Sequence, residues 1–155
     1  MEDLPFRPNV CMLVVNQSGR LFLGERNGSP GVWQFPQGGV EPHLSEEENV
    51  IKELHEELGI DERHIEIVKR LKTRHQYDFS KVPEYAVGKW RGQKQSFWLV
   101  RFLGKDSDIK LDRFSPEFSS FRWCTVDEVR SLAEPKRLPG YNSALQEFEE
   151  LNSLA

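Results

Sequence analysis

Glu53, Glu56 and Glu57 stand three and four residues apart in the run Lys52-Glu53-Leu54-His55-Glu56-Glu57-Leu58. On a helix this spacing sets all three carboxylates on one face. Like charges packed this closely destabilise the helix unless the face is open to water or matched by cations. Carboxylate oxygens are hard ligands suited to magnesium or manganese, and Mg²⁺ characteristically joins one or two carboxylates to substrate phosphates. An acidic, solvated surface helix is the plain alternative.

The charge distribution points the same way. Between Glu41 and Glu57 there are seven glutamates against one lysine, Lys52. Between Lys69 and Arg101 there are nine Lys or Arg against two acids, Asp78 and Glu84. Tyr77, Phe79, Tyr85, Trp90, Phe97 and Trp98 are interleaved with that basic run. Cationic side chains hold phosphate oxygens and aromatic faces stack on bases, while a glutamate cluster repels the same phosphates unless divalent cations lie between. The pair of regions predicts a metal-bridged phosphate ligand, though charge runs are often only solvated surface.

The chain has 155 residues, 37% hydrophobic and 30% charged, with a net charge of −4. That is enough for one core in one domain, residues 1–155, and it excludes a protein that coats nucleic acid by bulk charge neutralisation. Cys11 and Cys124 are too few for a disulfide framework, and Cys11 sits in an apolar run as a buried thiol. No apolar run approaches the roughly 20 residues of a membrane span and the acidic start is no signal peptide, so no membrane partner and a cytoplasmic address are expected.

The elements that position these residues are marked by local signals. Val10 to Asn16 is predicted as a buried strand, with a turn at Gln17-Ser18-Gly19 into a second strand near Arg20 to Gly24. Ser45 and Glu48 form a capping box, Gly59 ends the helix, and Val50, Ile51, Leu54 and Leu58 give it an apolar face. Extended chain is predicted from His64 to about Phe79, over Ser96 to Phe102, and over Phe121 to Cys124. The connection from Phe79 to Arg91 is long enough to be functional. Thr125 with Glu128 caps a helix to about Leu132, and a last helix is expected from near Tyr141 to Leu151. Without strict βα alternation, this order favours an α+β fold or mixed-sheet sandwich.

The span from Gly38 to Ile60 resembles the Nudix box, a loop–helix–loop signature of the Nudix hydrolase family. Gly38, Glu53, Glu56, Glu57, Gly59 and Ile60 match at the required offsets. Two positions depart: Leu44 stands where the pattern has its first glutamate, and Lys52 where it has arginine. In the family those two are thought to pair and brace the loop, so the resemblance implies a lost brace and a retained metal triad. Flanking segments, Trp33-Gln34-Phe35-Pro36-Gln37 before the box and Gly92-Gln93-Lys94-Gln95 and Ser115-Pro116-Glu117-Phe118 after it, resemble bacterial RNA pyrophosphohydrolases and asymmetric dinucleoside tetraphosphate hydrolases. The likeness runs from about Phe6 to Phe148 and fits least between Ala133 and Tyr141, where Lys136, Arg137 and Tyr141 match but Pro135, Pro139 and Gly140 do not.

The resemblance implies an α/β/α sandwich with a central mixed sheet, the Glu-rich helix lying in the box. It implies Mg²⁺, with Mn²⁺ as substitute, held by Gly38, Glu53, Glu56, Glu57 and Glu117. The general base is left among Glu53, Glu57 and Glu117. Arg7, Arg26, Gln37, Gln93 and Lys94 are candidates for substrate contacts, and His75 is a weaker one. His55 is expected to be an exposed helix residue, and Trp33 and Phe35 to pack around the loop. The implied activity is Mg²⁺-dependent hydrolysis of the 5′-triphosphate end of RNA to a 5′-monophosphate with release of pyrophosphate, the step that initiates mRNA decay. Hydrolysis of diadenosine tetraphosphate or of free nucleotides such as dGTP is the alternative. A non-catalytic Nudix module would lack need of all three glutamates, and a plain single-strand binder would be metal-independent and strongly salt-sensitive. The implied partner is 5′-triphosphorylated RNA or a nucleotide polyphosphate; an accessory protein would leave no mark in the sequence.

Overall fold

The computed structural model describes residues 3–153. Its strands are β1 (Phe6–Val15), β2 (Leu21–Arg26), β3 (Trp33–Gln34), β4 (Gln37–Gly39), β5 (Ile65–Asp78), β6 (Gly92–Phe102) and β7 (Phe118–Cys124). Its helices are α1 (Glu46–Leu58), α2 (Val126–Leu132) and α3 (Leu138–Ser153). The strands form one mixed sheet in the order β3-β2-β1-β6-β5, with β4 paired to β1 and β7 to β2. Among the described strand pairs only β1 and β6 run parallel, in unbroken register from Phe6↔Gly92 to Val15↔Arg101.

β1 and β2 pair at Val15↔Leu21 and then diverge, so β4 enters beside β1 and β3 beside β2. Side chains alternate across a strand, and the two faces of this sheet are both apolar. Cys11, Leu13, Phe97 and Leu99 face α2 and α3, packing on Val129, Leu145 and Phe148. Val10, Met12, Val14, Trp98 and Val100 face α1, packing on Val50, Leu54 and Leu58. This is the expected helix–sheet–helix sandwich. Cys11 and Cys124 are buried free thiols. No helix of the described residues is long and apolar enough to cross a membrane.

The capping signals act as expected. The Ser45 side chain accepts from the Glu48 N–H while Glu48 accepts from the Ser45 N–H, and Gly59 closes α1 at φ 69°. Thr125 and Glu128 repeat the device on α2. Several bounds differ from expectation: β1 begins at Phe6 rather than Val10, and β2 runs on to Arg26 rather than ending near Gly24. β6 begins at Gly92, four residues before Ser96, and β7 at Phe118 rather than Phe121. α3 begins at Leu138, three residues before Tyr141. Pro139 falls in the first turn, where no intrahelical N–H is needed. Gly140 is required there because a β-carbon would lie 2.8 Å from the His75 ring.

Candidate active site

α1 brings its glutamates against β4, which enters where β1 and β2 diverge. Gly38 packs directly on Glu53: a β-carbon at Gly38 would lie 2.1 Å from the Glu53 carboxyl carbon. Glu57 is 5% exposed, with the Gln37 N–H 3.5 Å from its Oε1. Its Oε2 has no donor when both carboxylates are ionised; with one proton between them, Glu53 and Glu57 hydrogen-bond each other. Burial, then the Glu53 charge and the bond to Glu53, push Glu57 well above the usual carboxylate range, and burial raises Glu53 as well. Burial penalises the charged form, and a second like charge penalises it further.

Glu56 points more outward. Lys52 Nζ lies 2.6 and 3.1 Å from its two carboxylate oxygens, and chiefly that bond holds the Lys52 ammonium above its ordinary value. Lys52 also lies 3.1 Å from Glu41 Oε1. The expected loss of a loop brace is therefore corrected: the loop stays tied to α1, with Glu41 as the acid. Asn49, fully buried, adds a second tie, accepting from the Glu41 N–H at 3.0 Å and donating to the Ser45 carbonyl at 2.8 Å.

A cleft of about 680 Å³ has this acidic helix as one wall. Glu117, exposed just before β7, stands at its edge close enough for its charge to raise both Glu53 and Glu57. Arg7, Arg26 and Arg137 line the cleft as well. The Arg7 guanidinium lies against Gly39 and 4.7 Å from the centre of the Tyr85 ring. Arg26 ends β2 just after a register shift, the kind of bulge that re-aims a side chain. Arg137, 16% exposed, donates to Glu134 Oε1 at 2.8 Å.

Buried amides complete the lining. Gln95 donates to Gln37 Oε1 at 2.9 Å and to Asn9 Oδ1 at 3.2 Å. Gln93 donates to the Tyr85 hydroxyl at 3.1 Å, and its own carbonyl oxygen, like that of Gln34, has no partner. A second cleft of about 670 Å³ adjoins the first and shares Arg26, Tyr77, Tyr85, Gln93 and Arg137 with it. His75 and Phe79 add aromatic surface there, with Tyr77 5.4 Å from His75 and 6.1 Å from Phe79 between ring centres.

The structure thus gathers Gly38, Glu53, Glu56, Glu57, Glu117, Arg7, Arg26, Gln37 and Gln93 around one cleft. It does not gather Lys94, which is exposed between buried Gln93 and Gln95 and so faces the other side of β6. His55 is half-buried rather than exposed: it sits 4.9 Å from the Phe114 ring, with Nδ1 3.1 Å from the Ile60 carbonyl. Arg137, Gln34 and Asn9 are lining residues that sequence reasoning missed. The signals that could have found them were the matches of Lys136-Arg137 and of the run holding Gln34 to related sequences.

These donors suit a hard divalent cation. A buried carboxylate oxygen lacks a partner, and the glycine beside it leaves space that a side chain would fill. Among the described residues no three acidic, His or Cys groups converge closely enough to hold a metal ion by themselves.

The NUDIX domain matches residues 5–148 of the chain. The RNA pyrophosphohydrolase of Rickettsia rickettsii (strain Sheila Smith) is 36% identical over 152 residues, covering 96% of this chain and 93% of that protein. The RNA pyrophosphohydrolase of Sphingopyxis alaskensis is 35% identical and covers 97% of both. Among solved structures, the C. elegans Ap4A hydrolase binary complex superposes with a TM-score of 0.71 at 19% identity, covering 96% of this chain and 99% of that one. The E. coli dihydroneopterin triphosphate pyrophosphohydrolase gives 0.68 at 17%, covering 97% and 99%. At such identities these two likenesses concern the fold. With the box glutamates gathered at one cleft and the match spanning nearly the whole chain, this protein belongs to the NUDIX hydrolase family.

Proposed function

We propose that the chain is an RNA pyrophosphohydrolase, converting the 5′-triphosphate end of RNA to a 5′-monophosphate with release of pyrophosphate. The observation that carries this reading is a single cleft lined both by the carboxyls of half-buried Glu53 and buried Glu57 and by Arg7, Arg26 and Arg137. A polyphosphate needs the arginines, and tolerates the carboxylates only with cations between. The full-length likeness to RNA pyrophosphohydrolases supports RNA as the substrate.

In this account Glu53, Glu56 and Glu57, with the Gly38 carbonyl and Glu117, hold Mg²⁺ or Mn²⁺. NUDIX hydrolases generally use divalent metals. Bound there, the ion would neutralise phosphate charge and acidify an attacking water. The arginines hold phosphate oxygens. Tyr77, Phe79, Tyr85 and His75 offer faces for the first bases, and the unpartnered oxygens of Gln93 and Gln34 accept from ligand donors. One of Glu53, Glu57 and Glu117 takes the water's proton. The free buried thiols fit a reducing, cytoplasmic setting.

The test compares short γ-labelled 5′-triphosphate RNA with diadenosine tetraphosphate and dGTP at equal concentration, with and without Mg²⁺. Mg²⁺-dependent release from RNA that outpaces the others, leaving 5′-monophosphate RNA, is the expected result. Inert RNA beside rapid formation of ATP and AMP would replace this reading with a dinucleotide hydrolase.

A further inference from the structure

We propose that Lys52 is a displaceable counter-cation of the metal-binding face, and that Glu41 receives it when a metal ion takes Glu56. The inference rests on the metal-site reading above. Lys52 Nζ lies between two stations: 2.6 Å from Glu56 Oε1 on one side and 3.1 Å from Glu41 Oε1 on the other. Glu53 Oε1 is 3.9 Å away. Glu53 and Glu56 line the cleft, whereas Glu41 is not among the described lining residues. The ammonium therefore competes with any cation for Glu56, and Glu41 offers it a place outside the cleft.

The chemistry of lysine suits this role. An ammonium is a compact charge on a flexible stem, so it shifts between carboxylates at small cost; a planar guanidinium is bound to one geometry. Glu41 itself is fixed. Its N–H is held by buried Asn49, which is tied to the first turn of α1. Glutamine at position 41 preserves that backbone bond, so loss of the acid leaves the loop in place.

The test is Mn²⁺ binding to the free protein, by calorimetry and by the electron paramagnetic resonance of unbound Mn²⁺, in a four-member cycle. Lys52→Gln should bind more tightly than the unsubstituted protein. Glu41→Gln should bind about threefold more weakly, because Lys52 then rests on Glu56 alone. In the Lys52→Gln background the same Glu41→Gln change should have little effect. Equal weakening in both backgrounds would show a simple additive field and overturn the proposal, as would no weakening in either. Absence of Mn²⁺ binding by the unsubstituted protein would overturn it together with the metal site, whereas binding that Glu57→Gln abolishes but Glu41→Gln leaves unchanged would overturn it alone.

Discussion

Gly38 and Glu53 are in direct contact, and the contact leaves no volume for a β-carbon. The backbone of β4 can approach the α1 carboxylates only because residue 38 has no side chain. Gly38→Ala should therefore displace Glu53 and cost activity on the order of a hundredfold, since small misplacements at a reacting centre are expensive. Turnover within a few-fold of the unsubstituted protein would show that the contact does not position the carboxylate.

The Glu53–Glu57 pair makes the metal-free protein sensitive to pH. Both carboxyls are raised on folding, so the folded state retains a proton that the unfolded chain has lost above about pH 4.3. Stability from this pair is then full below the unfolded value and falls as pH rises toward the raised folded value. Glu57→Gln should melt higher than the unsubstituted metal-free protein at neutral pH, and the difference should shrink toward about pH 4. Mg²⁺ should raise the melting temperature of the unsubstituted protein and not that of the variant. Calorimetry across pH checks both.

Arg137 lines the cleft while tied to Glu134, and the proposed function gives it a phosphate to hold. Arg137→Gln should raise KM about tenfold with a smaller change in kcat, as for a group that binds ground and transition states alike. A fall in kcat at unchanged KM would contradict that role.

Tyr141 secures the chain that leads into the box. Its buried hydroxyl accepts from the Phe35 N–H at 3.0 Å, and the two rings stand 4.4 Å apart. Tyr141→Phe leaves that buried N–H unsatisfied and should cost roughly 1–3 kcal/mol in urea unfolding.

Features encoded by neighbouring residues were legible in the sequence, and features created by distant approach were not. Ser45 with Glu48 and Gly59 announce both ends of α1, because caps are local hydrogen bonds. Pro139 and Gly140 look like a break before α3, yet proline costs nothing in a first turn and the glycine answers to His75 across the fold. Lys94 stands beside two lining glutamines but on the opposite strand face, a parity set by pairing with β1 and β5. Arg137 enters from a 3-10 turn far along the chain. The Glu41–Lys52 pair replaces a brace that the pattern places elsewhere, so only the folded loop reveals it.

The most direct test of the account is Mg²⁺-dependent hydrolysis of 5′-triphosphate RNA by Glu57→Gln under single-turnover conditions, with circular dichroism to verify the fold. A folded variant slowed by at least about a hundredfold is the predicted result. A folded variant within a few-fold of the unsubstituted rate would contradict the assignment of the Glu53–Glu57 pair as the metal-binding heart of the site.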